Sequence, residues 1–320
     1  MTTQSTTMTA RTPEDVLAVV PVVLGFEPHD SLVMLTFGAD PPFHARVDLP
    51  NSRDEVADLV ESLLAPARQH RARQVFLIGY GAGDSLAERC VRAGWHAFER
   101  AGIAVIDGLR TDGRRWFAVP GRRGVPAHGV PYDLAAHPFA AQAVYDGRVV
   151  HDSRDDLRAM IAPDPAQVGR VVAAVAELTG DPPPILTEGS WVRELVVRCT
   201  TTGTSPDDHQ VARLLRGLLE IRVRDAAWSP LRRDCAREHV AFWVDVVRRA
   251  PEPLVAAPAA LLAFAAWQSG EGALAWCAVD RSTDADPDYS LACLVAQALV
   301  DAVPPHSWQG DFDWTEGLFS

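Results

Sequence analysis

Four residues near the start of the chain have side chains suited to chemistry: Asp30, Ser31, Arg46 and Asp48. Carboxylates can hold Mg²⁺ or take up a proton, and an arginine fork can clamp a carboxylate or phosphate. Whether they act together depends on what positions them. The apolar run 31–37 reads as a strand. Residues 43–49 alternate, with Phe43, Ala45, Val47 and Leu49 on one face and His44, Arg46 and Asp48 on the other. The intervening Gly38 to Pro42 reads as a five-residue hairpin loop. An antiparallel hairpin sets the start of its first strand beside the end of its second, so Asp30 and Ser31 should meet Asp48.

The elements around this hairpin follow from capping and periodicity. Thr12, Pro13 and Asp15 open a short helix that Gly25 ends. Ser52 and Glu55 have capping-box spacing for a helix with Val56, Leu59, Val60 and Leu63 on its apolar face. A buried strand is expected over 74–80. The next helix is capped by Asp84 or Ser85 and buries Ala87, Cys90, Val91, Gly94 and Phe98. Strands 103–111 and 114–119 flank Asp112-Gly113, a strong hairpin signal. The order is β-β-α-β-α-β-β, an α/β domain with a mixed sheet. Open sheets of this kind bind ligands beyond the carboxyl ends of their strands. That rule gathers Asp30, Ser31, Asp48, Gly81, Asp84 and Asp107 on one rim, with Arg46 two residues back from Asp48.

Ordinary structural roles compete with that reading, because Asp at strand ends and helix starts is common turn and cap chemistry. The run Gly79-Tyr80-Gly81-Ala82-Gly83 follows a strand and opens a helix, as a phosphate loop would. Its spacing is not GxGxxG, and Asp84 would repel a phosphate. His128, His137 and His151 share one loop-rich region but lack metal-ligand spacing. Ser31 has Asp30 and His29 as neighbours, without the geometry of a hydrolase triad.

The chain has 320 residues, about two domains by length, and 48% are apolar. Its net charge is −12, which argues against nucleic-acid or anionic-membrane binding. All 30 cationic side chains are Arg. Without any lysine, a P-loop, a Schiff base and a protein-kinase site are excluded. Five dispersed cysteines make neither a disulfide framework nor a zinc module. With no signal-peptide pattern and no apolar run long enough to span a bilayer, the expected location is cytoplasmic.

Residues 1–12 read as disordered, 13–150 as the α/β domain with a Gly/Pro/His-rich loop over 120–147, and 151–306 as a helical domain. Its expected helices cover 153–161, 165–179, 188–200, 207–224, 230–250, 254–269, 271–283 and 288–302, after a short helix at 138–145. Residues 210–250 hold nine Arg against five acids, and 251–320 one Arg against ten, so these two stretches are expected to pair. The tail 307–320 sets Trp308, Phe312, Trp314 and Phe319 among acids. It should either dock on its own domain or serve as a motif for a partner protein.

Two stretches resemble a known family. One comprises Pro21, Leu24-Gly25-Phe26, Pro28, Asp30-Ser31-Leu32-Val33 and Arg46-Val47-Asp48-Leu49-Pro50. The other runs from Leu261 to Trp267, then Gly270, Gly272 to Ala275 and Asp286-Pro287-Asp288-Tyr289. They resemble an actinobacterial family catalogued as domain of unknown function 4192, with Gly147-Arg148 and Ser153-Arg154 between them. The resemblance implies no activity. It does imply cysteines ahead of a Pro-x-x-Gly, and here Gly124 and Val125 precede Pro126-Ala127-His128-Gly129. A thiol or metal role for that loop is therefore not expected.

The function expected is binding of a ligand through the Asp rim, or of a protein through the helical surface or tail. The alternative is metal-assisted hydrolysis or transfer, with Asp48 and Asp107 as Mg²⁺ ligands or base and Arg46 as anion clamp.

Overall fold

The computed structural model describes residues 10–40, 43–82, 86–121, 124–135, 137–145, 150–308, 310 and 312–316. The chain divides into two compact units, residues 1–154 and 155–320.

The first unit contains α1 (Pro13–Leu24), β1 (Ser31–Phe37), β2 (His44–Asp48), α2 (Val56–Gln69), β3 (Gln74–Tyr80), α3 (Leu86–Arg100), β4 (Ala104–Thr111), β5 (Arg115–Ala118), β6 (Val130–Pro131) and α4 (Pro138–Tyr145). The six strands form one sheet in the order β2-β1-β3-β4-β5-β6. Strand β1 is antiparallel to both β2 and β3, while β3 and β4 are parallel. The β2-α2-β3 crossover therefore straddles β1, a split β-α-β arrangement, and only β3-α3-β4 joins parallel neighbours directly.

Helices α2 and α3 bury one sheet face, where Leu59, Leu63, Val91 and Phe98 meet Leu32, Met34, Val75 and Leu77. Phe43, Ala45, Val47 and Leu49 pack on this face, as the alternation of β2 requires. Helix α1 covers the other, with Leu17 and Val20 against Val33, Leu35, Phe76 and Ile78. Each fully buried side chain of this size contributes roughly 1.5–3 kcal/mol. The N-terminus of α1 carries the expected Thr12–Asp15 capping box, and Gly25 closes the helix in the left-handed conformation at φ 82°. Its first-turn acids also reach across the unit. Trp116 Nε1 donates to Glu14 at 2.8 Å, and His137 Nε2 lies 3.2 Å from Asp15.

The Ser52–Glu55 capping box does not form. Glu55 instead turns its carboxylate back onto the Ser52 hydroxyl and the Asn51 N–H, and α2 begins at Val56 without a side-chain cap. The Asp112-Gly113 hairpin is as expected, with the Arg114 and Arg115 N–H groups donating to the Asp112 carboxylate.

The second unit is largely helical: α5 (Arg154–Met160), α6 (Pro165–Glu177), α7 (Ile185–Thr202), α8 (Asp208–Gly217), α9 (Ile221–Trp228), α10 (Ala236–Arg249), α11 (Ala256–Ser269), α12 (Gly272–Ala285) and α13 (Ser290–Val300). The helix expected over 207–224 is two. Glu220 turns extended, at ψ 121°, and caps α9 through the Arg222 N–H. Helix α11 is apolar all round, with 12 of its 14 residues buried, and it packs against α10, α12 and α13.

Three arginines of the Arg-rich stretch pair elsewhere than with the acidic stretch. Arg213 forks onto the buried Glu188 at 2.7 Å, Arg224 pairs with Asp225, and Arg249 binds Asp208 and Asp245. Asp225 is the next residue and Asp245 lies one turn back on the same helix, while Glu188 and Asp208 come from α7 and α8.

The tail docks on its own unit. Trp308 stacks on Trp228 at 5.0 Å, Phe312 lies 5.1 Å from the Trp228 ring, and Trp314 is buried against Gly189. Of the two expectations for the tail, docking on its own domain is the one these three aromatics fit. Phe319 lies outside the described residues.

Two outcomes follow from this packing. A Cβ on Gly108 would run into the Val119 carbonyl and come within 2.9 Å of Val91. Gly108→Ala should therefore cost about 1–3 kcal/mol in urea unfolding. His239 is fully buried on α10 with Nδ1 unpartnered, and burial holds its pKa down at about 4. The unfolded chain gains that proton near 6.5, so stability is full above 6.5 and falls as pH drops to about 4, then levels. The loss from this group is about 3 kcal/mol at most. Unfolding midpoints between pH 7 and 4 should fall less steeply in His239→Phe.

Candidate functional site

Register across the sheet builds the site. Ser31 pairs with Asp48 on one side and Tyr80 on the other, Tyr80 with Thr111, and Thr111 with Trp116. Paired residues share a face, so Asp48, Ser31, Tyr80, Thr111 and Trp116 form one row at the end of the sheet, on the α1 side. Asp30 stands one residue beyond, its carbonyl accepting from Leu49 N–H at 2.8 Å. Asp30 has φ 39°, a left-handed conformation that Asp tolerates better than most residues. The structure thus brings Asp30, Ser31, Asp48 and Gly81 to one rim.

Asp107 is a correction. It pairs with Phe76, four residues before the end of β4, and its carboxylate accepts from the Gly108 N–H. Strand β4 runs on to Thr111, so Asp112 takes the rim position assigned to Asp107. Asp84 lies outside the described residues.

Arg46 and Asp48 are also arranged differently from an anion clamp and a base. Arg46 Nη2 lies 2.5 Å from the Asp48 carboxylate and donates to the His29 carbonyl at 3.2 Å. Arg154 stands 3.6 Å from the other Asp48 oxygen. Residues two apart on an edge strand point the same way, so the pairing follows from β2 itself. Asp48 is matched by two guanidinium groups, and Arg46 is committed to Asp48.

Gly79 serves packing, since a Cβ there would lie 2.9 Å from the Ala87 carbonyl of α3. Gly81 donates its N–H to the Thr111 carbonyl. The three loop-region histidines are used separately: His137 with Asp15, His151 in a bridge to Phe26, and His128 through its carbonyl to Arg115. Among the described residues no three His, Cys, Asp or Glu side chains are grouped to hold a metal ion. His29 Nε2 lies 3.3 Å from the Asp152 carbonyl, engaged away from any role as a base for Ser31.

Beside this rim, between α1, α4 and the strand ends, lies a cavity of about 760 Å³. Leu17, Ala18, Pro21 and Val22 of α1 wall it, with Ala140 and Ala143 of α4 and the phenols of Tyr80 and Tyr132. Pro21 has no N–H, so the Leu17 carbonyl lacks its usual helical donor on the turn of α1 that faces this wall. The exposed acids Glu27, Asp30, Asp112, Asp133 and Asp152 also line it, together with His29, and no Arg is among the described lining residues.

Tyr80 is 9% exposed and its hydroxyl has no hydrogen-bond partner. Burial, with Tyr132 and Glu27 nearby, pushes its ionisation well above the ordinary tyrosine range. Burial likewise raises Tyr132, although Thr111, which shares a 2.7 Å hydrogen bond with it, pulls the other way. Both stay neutral phenols. Partial burial pushes Asp112 up, but the Arg114 and Arg115 N–H groups and Arg110 outweigh it and hold its carboxyl below the usual range. Of the expected site residues, Asp30 and Gly81 line the cavity. Glu27, Tyr80, Thr111, Asp112 and Tyr132 were not foreseen. Tracing β4 to the DG turn would have found Thr111 and Asp112, whereas nothing local marks Tyr132.

An unpartnered buried hydroxyl carries a desolvation penalty that its removal relieves. Tyr80→Phe should raise stability by about 1 kcal/mol in denaturant unfolding. A loss of that size would mean that the hydroxyl has a partner.

No curated protein matches the chain, and no solved structure matches it. Residues 13–306 match the model of a family described as a domain of unknown function (DUF4192). That match covers most of the sequence, and the chain belongs to the DUF4192 family.

Proposed function

We propose that the N-terminal unit is a small-molecule binding module whose ligand enters the cavity at the strand ends. The observation that carries this reading is the cavity itself. About 760 Å³ of space lies within the ~300–1,000 Å³ typical of ligand sites. Its apolar walls with a few convergent polar groups match the usual composition of such sites. Net charge −12 and an acid-lined mouth disfavour nucleic acid as the ligand. The reading includes a cytoplasmic location, supported by five cysteines that form no disulfide, and no helix among the described residues is long and apolar enough to cross a membrane.

Protein binding by the helical unit has one supporting feature, the adjacent exposed side chains Leu219 and Ile221. Mg²⁺-assisted hydrolysis or transfer has less, because Asp48 is engaged by arginines and Asp107 lies mid-strand.

Ligand-detected NMR of the full chain with a mixed library of neutral, cationic and anionic aromatic fragments tests the module. Fragments should bind, and Ala18→Phe, which fills the cavity from α1, should weaken them at least tenfold while preserving the circular dichroism spectrum. Binding unaffected by both Ala18→Phe and Ala143→Phe would overturn the reading.

A further inference from the structure

The lining of the cavity has a sign. Five carboxylates, Glu27, Asp30, Asp112, Asp133 and Asp152, stand at its mouth, and no arginine lines it among the described residues. Among the described residues none of the five makes an ion pair, whereas Asp48 on the same rim is matched by Arg46 and Arg154. Asp112 and Asp133 accept from backbone N–H groups of their own turns, which fixes their direction without neutralising them. Arg46 is bound to Asp48, and Arg110 lies 3.6 Å over the Phe117 ring on the opposite sheet face, from where it still helps to hold Asp112 ionised.

A second observation, independent of the acids, lies inside. Tyr80 lines the cavity, and its buried hydroxyl has no hydrogen-bond partner among the described residues, while its neighbour Tyr132 is satisfied by Thr111. Buried hydroxyls are almost always hydrogen-bonded, so an orphan on a cavity wall marks where a ligand's polar group would sit. Around it the walls are aliphatic.

Resting on the binding-module reading, we infer that the ligand is an amphipathic organic cation: an aliphatic or aromatic body carrying an ammonium group. Its body fills the space between α1 and α4. Its ammonium group faces the carboxylates at the mouth, and a polar atom on the body meets the Tyr80 hydroxyl. The excess of acids repels carboxylate and phosphate ligands, which separates this site from the phosphate loops that strand-Gly-helix turns often form. Mutual repulsion among the acids is relieved when a cation enters, so selection is for charge first and shape second.

Three probes of one shape and different charge test this: 2-phenylethylamine, 2-phenylethanol and 3-phenylpropionate, titrated into the full chain by calorimetry or ligand-detected NMR. The amine should bind at least tenfold tighter than the carboxylate and severalfold tighter than the alcohol, and its advantage should shrink as salt is raised. Asp30→Asn combined with Asp112→Asn should reduce the preference for amine over alcohol by fivefold or more while leaving alcohol binding in place. Tyr80→Phe should weaken a hydroxylated amine such as 2-amino-1-phenylethanol severalfold more than 2-phenylethylamine. Equal binding of amine and alcohol, tighter binding of the carboxylate, or a preference that survives the double substitution would overturn the cation assignment. So would a cavity that accepts neutral fragments and refuses the amine, although the binding module would stand. Only if no fragment of any charge responds to Ala18→Phe or Ala143→Phe do both readings fall.

Discussion

Strand β1 is hydrogen-bonded in antiparallel register to β2 on one side and β3 on the other, and the geometry of the site depends on that pairing. It turns the start of β1 toward the ends of β2 and β3, and β3 carries the end of β4 with it in parallel. With β5 paired to β4, one row of side chains then crosses five strands at a single rim. A slip of one residue would move every member of the row to the opposite face. The alternation of β2 guards against such a slip, because it would expose Phe43, Ala45, Val47 and Leu49 and bury Arg46 and Asp48.

Helix α1 converts that rim into an enclosure. It packs across the α1-side core through Leu17 and Val20 and is anchored at its N-terminus by Glu14 to Trp116 and Asp15 to His137. Its Ala18, Pro21 and Val22 line the cavity that Tyr80, Tyr132 and α4 also line. The same helix thus supplies core from one face and cavity wall from another, with Leu17 in both. Across the sheet, Gly79 and Gly108 let α3 and the chain after β5 approach closely, so the first glycine of the glycine-rich turn serves packing while Gly81 lines the cavity. The charges sort in a similar way. Arginines close to acids on neighbouring elements are paired, in the first unit at Asp48 and in the second at Glu188 and Asp208. Among the described residues the acids around the cavity make no such ion pair.

Much of the layout was legible before any coordinates. The Thr12–Asp15 box, the Gly25 stop, the β1–β2 hairpin with its two faces, the DG turn and the change to helices after residue 150 are local signals. Each arises from a residue type whose backbone or burial preference acts within a few positions. The errors have equally specific causes. Ser52 and Glu55 satisfied each other and the Asn51 N–H in a turn instead of capping α2. Asp107 was assigned to a strand end that lies four residues further on. The tail aromatics left docking and a partner motif both open, because the Trp228 and Gly189 surfaces that take them up are remote in sequence.

The sequence alone determined which faces are apolar, where helices and turns begin, and that Asp30, Ser31 and Asp48 would share a rim, because periodicity and hairpin geometry are local constraints. Only the tertiary structure decided which of those groups remain available. Arg46 and Arg154 reach Asp48 through space, and α1 and α4 close a cavity around Tyr80 from segments more than a hundred residues apart. Charge neutralisation and enclosure both depend on distances between remote parts of the chain, and local residue order does not encode those distances.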